Sequence, residues 1–529
     1  MSTKKKAPAA TGVSIKKVSS GYNPKDTEHF AKKQAQCKDL LPSIEKVSKA
    51  SNETILDCIL TQIKPVDFEK IIYPQLEELR DRLKQEKSFQ TCSQLQKRIK
   101  SLQATKGQKM VVVCEQVLET AKKLNYGLAK KGASIYVYNG QYWSPIDPDV
   151  LQHYLGACAE RMEEEPYQWR QYKIQAELSC QFVATAYLKK IPTNDRISIN
   201  LLNGTFDISS NGQRRLRDFR PEDFLTYQLN FEYDTKADCP IFKNFINEVL
   251  PDINAQYVLA EFIGYIFTKN LKLEKALILY GSGANGKSVI FDIISALLGR
   301  ENVSSYSMTE LCVDNGYYRA KVEGKLLNYA SEIGGKTDSD TFKKLASGEP
   351  ISARLPYGNP FIIENYARLI FNANTLPKDA EMTNAFFRRF MIIPFNVTIP
   401  EDRQDKELAS KIITNELPGI FNWVLEGVDR LMMQKRFTYC DLIERELEQF
   451  RKESDTVQLF LEDENYHQSV ESTKSLMDLY NEYRIFCSLN GYRSLSKKNM
   501  AKRLRSLGFQ ERRLHSGKYL FIEKKAFEL

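Results

Sequence analysis

The chain has 529 residues, 42% of them hydrophobic and 27% charged, which is the make-up of a soluble globular protein with length for three or four domains. Its ten cysteines and four histidines are scattered without a C-x-x-C pair, against a zinc ribbon or disulfide framework and in favour of buried thiols in a reducing cytoplasm. No apolar run approaches bilayer-spanning length and no signal-peptide segment opens the chain, so a cytoplasmic protein with no membrane partner is expected.

The net charge of +9 is unevenly placed. Residues 1–24 open with Lys4, Lys5, Lys6, Lys16 and Lys17 and no acidic residue among the first twenty, and read as a disordered basic tail. Residues 25–106 are helical in pattern, with Phe68, Ile71, Ile72, Leu76, Leu79 and Leu83 recurring at threes and fours. A small helical domain or hairpin fits that pattern, with a partner-binding coiled coil as the alternative, and Lys106-Gly107 reads as a boundary. Residues 107–236 are mixed α/β. A helix over 111–128 precedes a strand at 135–138, and Asn139-Gly140 turns it back as a hairpin. Asp147-Pro148-Asp149 reads as the cap of a helix over 150–162 rather than a metal-binding carboxylate pair, because Pro148 suits a first helical position. A second hairpin centres on Asn203-Gly204, and helices over 241–249 and 255–267 lead into an apolar strand at 276–279.

That strand runs into Gly281-Ser282-Gly283-Ala284-Asn285-Gly286-Lys287-Ser288-Val289, a G-x-x-x-x-G-K-S loop, and then into an apolar-faced helix to residue 298. Glycines let the backbone curl around phosphate, and the helix start offers free N–H groups to an anion. Lys287 is positioned to reach the β and γ phosphates of a nucleoside triphosphate and Ser288 to ligate Mg²⁺.

Hydrolysis needs an acid at a neighbouring strand end, and Leu326-Leu327-Asn328-Tyr329-Ala330-Ser331-Glu332 supplies Glu332. A third strand, 367–371, runs into Asn372-Ala373-Asn374 before Pro377; these amides either sense the γ phosphate or only make the turn. Arg388-Arg389, before strand 391–395, either reach a neighbouring subunit's nucleotide or form a surface ion pair. Between the acid and the asparagines, 342–361 interleaves Lys343, Lys344, Arg354 and Tyr357 in a composition suited to gripping a nucleic-acid backbone and stacking on bases.

Residues 402–450 are helical and suggest a lid or collar. From Arg493 onward eleven Lys or Arg face three Glu. Two helices and a hairpin there, with Lys497, Lys498, Lys502 and Arg503 on the second helix, read as a winged helix, a basic structural face being the alternative.

Taken together, G-S-G-A-N-G-K-S, L-L-N-Y-A-S-E, F-K-K-L-A-S-G-E-P-I-S-A-R, L-I-F-N-A-N-T-L-P and F-F-R-R-F-M-I-I-P-F resemble the superfamily three helicases of phage, plasmid and poxvirus primase-helicases. The resemblance implies an α/β fold: an AAA+-like P-loop ATPase core (237–400), preceded by the helical region (25–106) and a helicase-associated α/β domain (107–236). A helical lid or collar (401–455) and a winged-helix-like domain (456–529) would follow. It also implies a ring, usually a hexamer, that threads DNA using ATP and Mg²⁺. Glu332 then matches the acidic strand end, Asn374 the sensor, Arg389 with Arg388 the inter-subunit arginine, and 343–357 the DNA-contacting pore hairpin. Many relatives carry two adjacent acids where this chain has Ser331-Glu332, which leaves open whether Glu332 serves the metal or the attacking water. The expectation is an ATP-dependent DNA helicase of a phage, plasmid or other mobile element. Its partners would be single-stranded and forked DNA, its own copies and a separate primase, and it would lack primase activity of its own. The alternative is an ATP-switched DNA-binding initiator or loader without processive unwinding.

Overall fold

The structure, a computed structural model, describes residues 51–132, 134–163, 166–188, 196–268, 271–333, 338–376, 384–515 and 517–525. The expected basic tail lies outside them. Among the described residues the chain divides into two compact units: 51–140 with 144–188, and 141–143 with 196–525.

In the first unit helix α1 (Asn52–Gln62) is capped by Ser51, whose hydroxyl accepts from the Thr54 N–H. Helix α2 runs Lys106–Lys123, starting five residues before the expected 111 because Thr105 and Gln108 form a reciprocal capping box. It stops before the expected 128, with Asn125 in the left-handed region at φ 61°. Strands β1 (Gly127–Lys131), β2 (Ser134–Tyr138) and β3 (Trp143–Ile146) form a three-stranded sheet that contains the expected Asn139-Gly140 turn. Helix α3 (Pro148–Met162) begins as predicted, Asp147 accepting from Asp149 N at 2.8 Å with Pro148 in the first turn, and α4 (Tyr172–Thr185) packs beside it. Ile55, Leu56 and Ile59 share one core with Val113, Val117, Leu155 and Leu178. The boundary expected at Lys106-Gly107 is therefore the first turn of a helix inside that core.

The second unit opens with an antiparallel meander: β4 (Ile197–Leu201), β5 (Gly204–Ile208) and β6 (Arg214–Arg217). It falls within the expected 107–236 domain, but Ile199, Leu201 and Phe206 pack into the same core as Leu277 and Phe421. Helices α5 (Pro240–Val249) and α6 (Ile253–Tyr265) follow. A five-stranded sheet is then built from β7 (Ala276–Tyr280), β8 (Val303–Ser304), β9 (Leu327–Ala330), β12 (Arg368–Ala373) and β13 (Phe390–Pro394). Its order is β13-β7-β12-β9-β8 and every pairing is parallel. Helix α7 (Lys287–Leu298) follows β7, and α8 (Ser339–Ser347) follows β9. Strands β10 (Ile351–Ala353) and β11 (Phe361–Ile363) form a separate antiparallel hairpin.

Both faces of the sheet are covered, as a parallel sheet requires. Leu277, Leu279 and Tyr329 join the core that contains α6 and α7, while Ala276, Ile278 and Phe371 join the opposite core with Phe342 and Ile363. Alternation along each strand assigns the faces. Helix α9 (Leu408–Gln434) was expected as a lid or collar; it lies in the first of these cores. Its Gly419 and Gly427 permit this close approach, since a Cβ would fall 2.3 Å from the Asp238 carbonyl carbon and 2.6 Å from that of Ala260. Helix α10 (Asp441–Ser454) packs on β13 through Phe450.

The C-terminal part has its own core of Val457, Leu479, Tyr483, Met500, Leu504 and Ile522. Helix α11 (Thr456–Asp463), β14 (Tyr466–Ser475), α12 (Leu476–Leu489), α13 (Lys497–Ser506), β15 (Glu511–Leu514) and β16 (Gly517–Lys524) surround it. The sheet order is β14-β16-β15, antiparallel. The two helices and hairpin follow the predicted order. Strand β14 was not predicted: it is a largely exposed edge strand whose register breaks between Gln468 and Thr473, so no alternation marks it.

Candidate functional site

The glycine loop joins β7, the second strand of the sheet, to α7. Gly283 (φ 126°), Ala284 (φ 48°) and Gly286 (φ 83°) all have positive φ, which turns the loop into a concavity of backbone N–H groups. Gly281 and Gly286 are sterically required. A Cβ at Gly281 would lie 2.2 Å from Asn285 Nδ2 and 2.5 Å from the Phe395 oxygen, and one at Gly286 would lie 2.9 Å from both Phe245 and Val249. Helix α5 thus buttresses the loop, and its own start is held by buried Glu416 of α9. The Glu416 carboxylate accepts from Ile241 N at 2.9 Å and Phe242 N at 2.8 Å. Glu416→Ala leaves two N–H groups unpaired and should cost about 2–3 kcal/mol in urea denaturation. A weakened apparent affinity for nucleotide should accompany the loss as α5 loosens.

Lys287 is 6% exposed. Its Nζ donates to the Gly281 oxygen at 2.7 Å and Asn285 Oδ1 at 2.9 Å. Burial holds its ammonium below the usual lysine value, a cost that a nearby anion would relieve. Asn285 Nδ2 donates to the Phe395 oxygen at 3.0 Å, fastening the loop to the end of β13. Asn285 had been only a variable position in the motif, and no signal in the sequence marked this role. Ser282 and Ser288 are exposed, and Val289 is half-buried behind them. A concave run of positive-φ residues, one lysine reaching across it and an exposed hydroxyl at the helix start fit a triphosphate with a hard cation such as Mg²⁺.

Glu332 is exposed and lies two residues beyond β9. In the ladder Ala330 pairs with Phe371, and Ala373 pairs with Tyr280, so counting on brings Glu332 level with Ala373 and the start of the loop. Strand β12 lies between, which puts the acid about 10 Å from β7 across the sheet. At the tip of β12 the two asparagines separate. Asn372 is buried, its Oδ1 accepting from the Tyr329 hydroxyl at 3.0 Å, while Asn374 is exposed at the same edge as the loop.

Arg388 and Arg389 lie at the opposite edge, where β13 begins alongside β7 at Phe390 and Ala276. Arg389 is buried and engaged by its own chain. Its guanidinium donates to the Lys343 and Ala385 oxygens and to Ser347 Oγ, with Glu274 at 3.5 Å. The exposed member is Arg388, 3.5 Å from Glu274 and otherwise facing solvent. Of the two arginines expected to reach a neighbouring subunit, Arg389 thus has its donors engaged by its own fold.

The basic segment 343–357 is a helix followed by a hairpin, not one loop. Lys343 pairs with Asp340 at 3.0 Å on α8, beside exposed Lys344. Arg354 and Tyr357 are in the β10–β11 connection, where Arg354 Nε donates to the Gly358 oxygen at 2.8 Å. Tyr357 has φ 60° and is fully exposed. On α13, Lys497, Lys498 and Lys502 are exposed, whereas Arg503 is bound to buried Asp455 at 2.6 Å and 2.5 Å and is a structural residue. Among the described residues no cluster of three metal-binding side chains occurs and no helix is long and apolar enough to cross a membrane.

A protein-family model described as D5 N terminal like matches residues 115–251, and one described as a family of unknown function (DUF5906) matches 279–389. The chain is 23% identical over 336 residues to "Putative helicase L207/L206" of Acanthamoeba polyphaga mimivirus, covering 56% of this chain and 33% of that one. It is 26% identical over 285 residues to "Putative helicase 184R" of Invertebrate iridescent virus 6, covering 44% and 27%. The match thus spans about a third of each viral relative's own length. Apo structures of the NrS-1 C terminal region align with TM-score 0.43 at 13–14% identity, over 77% of this chain and 98% of theirs.

Proposed function

The chain resembles the phage and viral primase-helicases, and from that premise we propose that it is an ATP-dependent DNA helicase acting in replication as a ring of identical subunits. The observation that carries this reading is the division of the site between two edges of one sheet. The glycine loop, Glu332 and Asn374 share one edge, while exposed Arg388 stands at the other, roughly 15 Å away along β13. Arg388 cannot serve its own loop, so a subunit completes its neighbour's. The insertion of β12 between the loop strand and the acid strand supports an AAA+-like core.

In the mechanism, the loop N–H groups and Lys287 bind and orient the triphosphate. Asn374 positions the attacking water at the strand tip, and Arg388 of the next subunit meets the charge that develops on the phosphoryl oxygens. Ser288 and Glu332 would hold Mg²⁺, which supplies charge neutralisation when bound. The β10–β11 hairpin follows the acid strand and α8 directly, so a change at Glu332 has a short path to Tyr357 and Arg354. Lys497, Lys498 and Lys502, on a helix beside an antiparallel wing, suit duplex backbone contact in the manner of a winged helix. Strand displacement on a forked duplex tests the proposal. DNA binding with ATP-dependent affinity but no displacement would instead favour an initiator or loader.

Tyr357→Ala should leave fold and basal ATP turnover unchanged, since the side chain touches nothing it stabilises. If Tyr357 stacks on a base, affinity for single-stranded DNA should fall about 5- to 100-fold in fluorescence anisotropy. Unchanged affinity would remove the hairpin from the DNA path.

A further inference from the structure

At the sheet edge opposite the glycine loop lies a cavity of about 90 Å³ whose lining includes Lys272, Lys325, Gly348, Glu364, Tyr366 and Arg368. Arg368 opens β12 and its guanidinium is stacked over the Tyr265 ring at 3.9 Å. Nη2 donates to the Thr268 and Leu271 oxygens at 3.3 and 3.2 Å. No carboxylate among the described residues forms an ion pair with it; burial holds it below the usual arginine value, and the neighbouring Tyr265 and Tyr366 hydroxyls favour its charged form only in part. Gly348 leaves the Nη1 side open, a Cβ there falling 3.4 Å away. Lys272 is exposed at the rim, and Lys325 Nζ donates to the Glu301 oxygen at 2.5 Å. Three basic residues and one acidic residue, Glu364, thus contribute to the lining.

A half-buried guanidinium without a counter-ion carries a desolvation cost, and a tetrahedral oxyanion matches its planar fork. The volume equals about three waters, enough for one phosphate group. Gly348 ends α8 just before β10, and Glu364 to Tyr366 follow β11, so the cavity lies at the base of the hairpin that carries Tyr357. We propose that this cavity is a phosphate-binding site centred on Arg368, distinct from the glycine loop, which takes either a backbone phosphate of DNA or a free phosphate. An occupant would tie the two ends of the hairpin together.

The full chain carrying Lys287→Ala, which silences phosphate binding at the glycine loop, is titrated with inorganic phosphate against chloride of matched ionic strength. Its melting temperature should rise by about 2–4 °C. Adding Arg368→Gln should abolish the rise. Lys272→Ala, at an exposed rim, should weaken it without lowering the melting temperature in chloride, which guards against a folding defect in the first variant. If DNA is the source, phosphate competes with a single-stranded oligonucleotide and Arg368→Gln weakens DNA binding about tenfold. If free phosphate is the source, the thermal rise persists while DNA affinity is unaltered. No phosphate-specific rise in the Lys287→Ala protein, or a rise that survives Arg368→Gln, overturns the site and leaves Arg368 as a fastener of the Thr268 and Leu271 carbonyls. Neither result bears on whether the chain hydrolyses ATP or unwinds DNA.

Discussion

Lys287→Ala should reduce ATP turnover at least about 100-fold and abolish strand displacement on a forked duplex. Removing one preorganised donor to developing phosphoryl charge costs on that order, and this lysine is the side-chain cation of the loop. The substitution also removes the donor that satisfies the Gly281 oxygen and Asn285 Oδ1, so some loss of stability should appear in denaturation. Measuring kcat and melting temperature together separates the two effects. A variant that unwinds as well as the parent would show that the loop does not power the reaction. Intact ATP hydrolysis by the parent without strand displacement would keep the nucleotide site and remove the helicase.

Arg388→Ala and Arg389→Ala should fail in opposite ways. Arg388 is exposed and held only at 3.5 Å from Glu274, so its loss should leave stability within about 0.5 kcal/mol while lowering kcat roughly a thousandfold or more. Arg389 is buried with partners on α8 and at Ala385, so its loss should cost about 2–4 kcal/mol and lower activity only as folding fails. Mixing supplies the decisive measurement. An Arg388→Ala subunit retains Lys287, and a Lys287→Ala subunit retains Arg388, so some junctions in a mixed ring are whole. Two inactive variants should therefore recover part of the ATPase rate when combined. No recovery, with mixed assembly verified, would place Arg388 outside the nucleotide site.

The legibility of these parts differed for physical reasons. A G-x-x-x-x-G-K-S loop is contiguous, because a few successive N–H groups and one lysine build the concavity, so its place between β7 and α7 at 281–288 could be read directly. The Asp147 cap and the Asn139-Gly140 turn are likewise short-range. The start of α2 is also written locally, in the Thr105 and Gln108 capping box, although the glycine at 107 reads as a boundary. Strand β14 carried no pattern to read, since an exposed edge strand needs no apolar face.

What the sequence by itself determined is the composition of single segments: a G-x-x-x-x-G-K-S loop, an acid past an apolar strand, amides at a strand tip, an arginine pair and a basic C-terminal helix. Only the tertiary structure decided which of these lie near one another. Parallel pairing of β7 with β12 and β13 set the acid and asparagines beside the loop and the arginines at the far edge. Packing against α8 then consumed Arg389 and left Arg388 exposed. Glu416 reaches the loop only through a helix about 170 residues away, and Arg503 is taken by Asp455. Strand order and burial arise from contacts between residues far apart in the chain, which no local period of hydrophobicity encodes.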